Sequence, residues 1–210
     1  MFQLAEGNMN KDDLLKHIAE TGYNVGFGAK KHFATYDIVE KAPGIIGFIS
    51  TAIGVFSLVF EVLTANSLSA TFVVIGISGF YISFYDHCKM EYEDAATKIT
   101  SVFNELKHLY FKVKSATDDQ LPELQSELHD LENRFNQFSI SKQILFSDWY
   151  AHYKFFWQLQ IGWMEEQKKF SFFRDKIPLS FSLFVLILVV VFGSCLAQKF
   201  FQLCATFNFG

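Results

Sequence analysis

Apolar residues along this chain gather in three long blocks, and between the blocks they recur every three or four positions. The first block, Pro43 to Ala65 (PGIIGFISTAIGVFSLVFEVLTA), covers roughly 35 Å as a helix, enough to cross a hydrocarbon core. Glu61 is its only ionisable residue. Asn66 and Ser67 read as a turn, after which Leu68 to Tyr85 (LSATFVVIGISGFYISFY) returns and ends at the charged Asp86, His87 and Lys89. In the third block, Ile177 to Ala197, Pro178 stands in the first turn, where a missing backbone donor is harmless, and an uncharged LSFSLFVLILVVVFGSCLA follows. The pattern predicts a transmembrane helical hairpin with almost no external loop and a third, C-terminal transmembrane helix.

The intervening segments predict helices of another kind. Ile99, Phe103, Leu106, Tyr110 and Val113 alternate spacings of four and three, a coiled-coil-like stripe on a helix that continues from the second block. Ser115 to Gln120 (SATDDQ) reads as a turn with Asp118 or Asp119 as N-cap. Pro122 opens a helix on which Leu121, Leu124, Leu128, Leu131, Phe135 and Phe138 again alternate three and four. The two stripes are expected to pack antiparallel. A further helix is expected from about Lys142 to Asp175. Its aromatics, among them Phe146, Trp149, Tyr153, Phe155, Trp157 and Trp163, are too many for one seam. They predict a shared core with an aromatic belt near the membrane, or else an intersubunit surface. Near the N-terminus, Asn10 caps a helix that carries Asp12 and Asp13 in its first turn, then Leu14, Leu15 and Ile18. This helix is expected to lie along the membrane face.

Charge orients these elements. Lys30, Lys31 and Lys41 precede the first block, Lys89 and Lys98 follow the second, and Lys168, Lys169, Arg174 and Lys176 crowd the near side of the third. The tail from Phe200 to Gly210 carries no charge. The excess of basic residues on the cytoplasmic side of membrane proteins therefore places the N-terminus and central segment inside and the C-terminus outside the membrane. The expected organisation is an all-α membrane protein. Residues 1–42 form an N-terminal cytoplasmic amphipathic region, 43–85 the hairpin, 86–176 a long cytoplasmic helical bundle, 177–197 the third span and 198–210 a short external tail. Lys30, Lys31, Lys168, Lys169, Arg174 and Lys176 mark the cytoplasmic membrane surface. No short leader-like apolar core precedes the first block, so the hairpin is expected to direct insertion. Half of the 210 residues are hydrophobic and 19% charged, with a formal net charge of −4, and direct nucleic-acid binding is not expected from that balance.

Catalytic and metal chemistry find little support. GYNVGFGAKK lacks the glycine and lysine that a phosphate loop requires, and no strand precedes it, so its glycines predict a helical bend or close packing. The six histidines form no HxxxH or HExxH pair, and no GxSxG elbow stands out; no metal site, cofactor or catalytic residue is expected. Cys88, Cys195 and Cys204 are an odd set without ligand spacing and are expected to be reduced. Glu61 is the ionisable residue that asks for an explanation. Either it snorkels to the outer headgroups from a position near Asn66, or a ring of Glu61 carboxylates sits at the outer mouth of an oligomeric pore. Ser50 and Gly54 in the first span, and Gly79 and Ser83 in the second, lie four apart and allow close helix approach, to the neighbouring span or to another subunit.

The stretch YNVGFGAKKHFATYDIVEKAPGIIGFISTAIG (Tyr23 to Gly54), with Ala29-Lys30-Lys31-His32-Phe33 leading into Pro43-Gly44, resembles the SLATT family of bacterial membrane effector domains, as does most of residues 10 to 175. The resemblance implies a pore-forming effector of anti-phage conflict systems, often encoded beside a nucleotide second-messenger synthase or another sensor. Its activation would permeabilise the inner membrane and arrest the infected cell. The third block departs from the two-span family pattern. The expectation is thus a homo-oligomer in the lipid bilayer, partnered by a sensor protein or a nucleotide second messenger. The competing expectation is a non-conducting scaffold or sensor that binds a partner through its cytoplasmic helices.

Overall fold

The computed structural model describes residues 9–60, 66–159, 161–171 and 175–207, with the backbone alone at 66–67 and 195–207. Among these residues the secondary structure is helical, with no strand. Asn10 opens the first helix: its side-chain oxygen accepts the Asp13 N–H at 2.9 Å, and Asp12 and Asp13 complement the positive end of the helix dipole. α1 then runs unbroken from Lys11 to Ser57, roughly 70 Å at 1.5 Å per residue. Pro43 lies inside it and removes one backbone donor, but the helix continues.

The N-terminal segment is not a peripheral helix but is packed into the fold. Leu14, Leu15, Ile18, Val25, Ala29, His32, Thr35 and Val39 are buried along one stripe of α1, which makes this half of the helix the central stave of a bundle. Three glycines permit that role. A Cβ on Gly26 would stand 2.8 Å from the Phe103 ring and 2.9 Å from that of Phe155; one on Gly28 would stand 2.8 Å from Phe135; and one on Gly22 would run into Trp163. The glycine-rich stretch is therefore a bed for aromatic rings, the close packing that its failed phosphate-loop pattern left as the alternative.

α2 (Asn66–Ser83) returns beside the apolar end of α1, a 3-10 turn follows at Asp86–Cys88, and α3 (Lys89–Ser115) carries on in the same direction, antiparallel to its principal partner α1. Ile99, Val102, Phe103, Leu106, Leu109, Tyr110 and Val113 of α3 are buried, which includes the whole expected stripe. Thr117, not Asp118 or Asp119, caps the next turn, forming a reciprocal capping box with Gln120. α4 (Leu121–Phe138) carries Pro122 in its first turn and buries Leu121, Leu124, Leu128 and Leu131. Its antiparallel register against α3 is fixed by Arg134, which grips Glu105 with two nitrogens at 2.6 and 2.9 Å, and by Lys112 on Glu127 at 2.7 Å.

The continuous helix expected from Lys142 to Asp175 does not form. An irregular strap of residues 139–145 follows α4. Phe146 then takes a left-handed conformation (φ 68°), and only from there does α5 (Ser147–Gln158) begin, followed after a break at Leu159 by the single turn α6 (Gly162–Glu165). A left-handed phenylalanine costs about 1–2 kcal/mol relative to the ordinary helical basin, so the surroundings must hold it there. α5 packs on α1 through Phe155, whose ring meets Tyr23 edge-on at 5.3 Å, while Trp163 of α6 lies against Phe103 and Tyr110.

Residues 170–210 form a separate compact unit. In it α7 runs from Leu179 to Phe207, and its apolar stretch Leu179–Ser194 presents exposed leucine, valine, isoleucine and phenylalanine side chains.

Candidate functional site

Two features combine into the candidate site: an uncovered apolar hairpin and the collar that grips its base. The apolar end of α1 and the chain from Leu68 onward are each long and apolar enough to cross a membrane, and their surfaces are open. Ile45, Phe48, Ile49, Val55, Phe56, Val73, Val74, Ile77 and Phe80 are all exposed, an apolar surface that only lipid or further protein can cover. The two helices meet along narrow seams. The least exposed positions are Ile46, Ser50, Ile53 and Ser57 on α1, and Leu68, Phe72, Ile75, Gly79 and Ile82 on α2, each spaced four and three.

These seams divide the small-residue pairs. Ser50 and Gly79 stand on the seam between the two helices, whereas Gly54 and Ser83 face outward. A Cβ at Gly54 or at Gly79 would meet nothing within 4 Å. Serine and threonine hydroxyls in the hairpin donate to their own helix carbonyls, Thr51 to Gly47, Ser57 to Gly54, Ser78 to Val74 and Ser83 to Phe80, which removes the cost of carrying them into hydrocarbon. Glu61 lies outside the described residues.

The collar is built by the strap of residues 139–145 crossing the point where α1 and α2 leave the bundle. His32, buried on α1, donates from Nδ1 to the Gly28 carbonyl at 2.7 Å and accepts the Ile140 N–H on Nε2 at 2.9 Å; its partners thus fix one neutral tautomer. Burial also lowers its pKa, which keeps the ring uncharged. Thr35, fully buried one turn further on, donates to the Gln143 side chain at 2.6 Å, and Gln143 in turn donates to the Ile140 carbonyl. Three tyrosines close the other side. Tyr92 donates to the Lys142 carbonyl at 2.5 Å, Tyr85 to that of Gln143 at 3.4 Å, and the Tyr81 hydroxyl accepts the Leu145 N–H at 3.3 Å. Ile144 is buried beneath with Val39, Ile82, Tyr85 and Tyr92. Each neutral bond of this kind contributes roughly 1 kcal/mol net, and losing one partner of a buried pair costs more. Beside the collar, Asp37 bridges Lys41 at 2.6 Å and Lys154 of α5. Burial alone would push its carboxyl up, but the hydrogen bonds from Lys154 and Lys41 outweigh it and hold it below the ordinary range.

The basic residues assigned to the membrane surface are spoken for in part. Lys31 pairs with Asp148 at 2.8 Å, Lys30 is half-buried over the Phe33 ring with its pKa lowered by burial and by nearby Lys154, and Lys168 covers the Tyr23 ring at 5.0 Å. Lys169 is exposed and Lys176 half-buried, and Arg174 lies outside the described residues. No cluster of three histidine, cysteine, aspartate or glutamate side chains able to hold a metal occurs among the described residues. A cleft of about 340 Å³ at the α3–α4 turn is lined by Lys112, Ser115, Ala116, Gln120, Glu123 and Leu124. The one lysine in that lining is already neutralised by Glu127.

Of the collar residues, His32 lies in the Ala29–Phe33 stretch that carries the family resemblance, while Tyr81, Tyr85, Tyr92 and Gln143 carried no motif in the sequence. A signal was present nonetheless: His32 and Thr35 continue the three-and-four spacing of Val25 and Ala29, where a buried polar side chain must find a partner. A family model described as SMODS and SLOG-associating 2TM effector domain 6 matches residues 9–185, which takes in the bundle, the collar and the hairpin. No curated protein and no solved structure matches the chain.

Proposed function

The chain belongs to the family of SMODS and SLOG-associating two-span effector domains, membrane effectors of conflict systems, and from that premise we propose that it acts as an oligomeric pore. In this reading several copies bring their hairpins together in a bacterial inner membrane, permeabilise it, and arrest or kill the cell in anti-phage defence. The bundle and the N-terminus lie in the cytoplasm, where a sensor protein or a nucleotide second messenger from a neighbouring component triggers assembly. α7 serves as a third span and leaves the C-terminus outside.

The observation that carries the reading is the outward face of the hairpin. Gly54 and Ser83 offer a close-approach surface that the partner span does not use, in a region whose apolar side chains have no covering among the described residues. The exposed Tyr153 and Trp157 of α5 favour a second reading, a non-conducting scaffold that recruits a protein through its bundle.

Planar-bilayer recording of the reconstituted full-length protein with unequal salt on the two sides separates the two. A pore gives conductance, and with Glu61 at its mouth the Glu61→Gln variant loses cation preference and Glu61→Lys favours anions. Oligomers that form in the bilayer without conductance leave the scaffold. Identical reversal potentials in all three proteins place Glu61 away from the permeation path and return it to the headgroups.

A further inference from the structure

The strap that forms the collar does not end inside the protein. After Ile144 is buried under Tyr85 and Tyr92, the next two side chains turn the other way: Leu145 is 61% and Phe146 53% exposed. Both are large and apolar, and neither is placed there by chance of helical phase, since they form a turn outside any helix and Phe146 is held in a left-handed conformation that phenylalanine rarely adopts. The Leu145 N–H is bonded to the hydroxyl of Tyr81, a residue of the second apolar helix, so the turn is fixed against the hairpin itself. Around Tyr81 the hairpin presents Phe80 and Phe84, both exposed. The Leu145–Phe146 turn is thus tied through Tyr81 to the part of the hairpin that presents Phe80 and Phe84. The Phe146 ring lies 4.8 Å from that of Trp149, which widens the patch with a side chain suited to the headgroup level.

We infer that the Leu145–Phe146 turn is a membrane-inserted wedge, bedded in the same leaflet as the base of the hairpin and touching lipid acyl chains. The partner is the bilayer: the turn is hydrogen-bonded to Tyr81 at the base of the apolar hairpin, and its residues are those that partition into the boundary between headgroup and hydrocarbon. The backbone that carries the wedge is also the backbone gripped by His32, Tyr85 and Tyr92. Lipid contact at residues 145–146 thus bears directly on the point where the two apolar helices leave the bundle.

This inference rests on the hairpin lying in a membrane, and the test keeps the two apart. Nitroxide labels are placed singly at Leu145, Phe146, Val74 in the hairpin and Ser126 on the exposed face of α4, in a full-length background with Cys88→Ser, Cys195→Ala and Cys204→Ala. The proteins are reconstituted into vesicles of phosphatidylethanolamine and phosphatidylglycerol, and each label is read for collision with oxygen, which concentrates in lipid, and with a water-soluble nickel chelate. The expected result is that labels at 145 and 146 follow Val74, with oxygen accessibility several-fold above chelate accessibility, while Ser126 shows the reverse. Chelate accessibility at 145 and 146 equal to that at Ser126 overturns the wedge and leaves the hairpin intact, as does shielding from both reagents, which would mean that another protein surface covers the turn. An aqueous label at Val74 overturns the membrane reading and the wedge with it. Labelling Leu145 and Phe146 separately keeps the test informative if one variant fails to insert.

Discussion

The two halves of α1 use glycine in opposite ways. Gly22, Gly26 and Gly28 in the bundle half each have an aromatic ring where a Cβ would be, whereas Gly44, Gly47 and Gly54 in the apolar half have nothing within 4 Å. In the bundle half the surface left bare by the missing side chain is already filled by Trp163, Phe103, Phe155 and Phe135 of the same chain. In the apolar half it is still open to lipid or to another subunit. One helix thus has a surface finished by its own chain and one that is not.

The strongest way to break this comparison is Gly26→Leu, which drives a side chain into the Phe103 and Phe155 rings. It is expected to destabilise the bundle by about 3 kcal/mol or more, the upper range for overpacking a tight core. Thermal or denaturant unfolding of the purified protein measures it, and an unchanged midpoint would mean that the rings are free to move aside. His32→Ala removes the acceptor for the Ile140 N–H and opens a small cavity, with an expected loss of about 2 kcal/mol and increased proteolysis within residues 139–145.

A smaller effect is expected from pH, and its sign differs between two histidines of the bundle half. His32 is buried neutral, with its pKa lowered by burial; its contribution is present above about pH 6.5 and is lost as pH falls through its folded value. His17 has a raised pKa because it is hydrogen-bonded to Glu132 at 3.1 Å. Its contribution is present below about pH 6.5 and is lost as pH rises through its folded value. About a third of the His17 side chain is exposed, so solvent screening keeps its share small. His17→Gln is therefore expected to make the unfolding midpoint drop more steeply than the parent's between pH 7.5 and 5.5. Equal slopes would assign the acid sensitivity elsewhere. Gly54→Leu should have the smallest effect on folding, within about 0.5 kcal/mol, as for a side chain added in open space. Its effect is expected on association: a shift to smaller oligomers by light scattering in detergent supports an outward packing face, and an unchanged mass assigns Gly54 to lipid.

How much of this could be read from the sequence depended on residue size. The stripes Ile99 to Val113 and Leu121 to Leu131 were legible because their large apolar residues keep a strict spacing. The stripe of α1 was not, because Gly22, Gly26, Ala29, His32 and Thr35 occupy core positions with small or polar side chains, and hydropathy does not register a glycine buried under a ring. The apolar hairpin was plain from composition. Its base was missed for a different reason: the strap takes the place of the first turn of the helix expected from Lys142, through long-range bonds to His32, Tyr81, Tyr85 and Tyr92, and nothing local to residues 139–146 announces those partners. Thr117 displaced Asp118 and Asp119 as cap because its reciprocal bond with Gln120 leaves both aspartates free to face the helix dipole.

Pro43 gives the long first helix a mechanical character. The rod has no loop between its bundle half and its apolar half, so a rotation imposed on one end is a rotation of the other, and the single missing backbone hydrogen bond at Pro43 is its softest point in bending, not in twist. With Ser57 lying about 21 Å beyond Pro43, a tilt of some 10° at that joint carries the far end sideways by about 4 Å, close to half the spacing between packed helices. A displacement of that size exchanges one set of neighbours for another without unwinding a single turn.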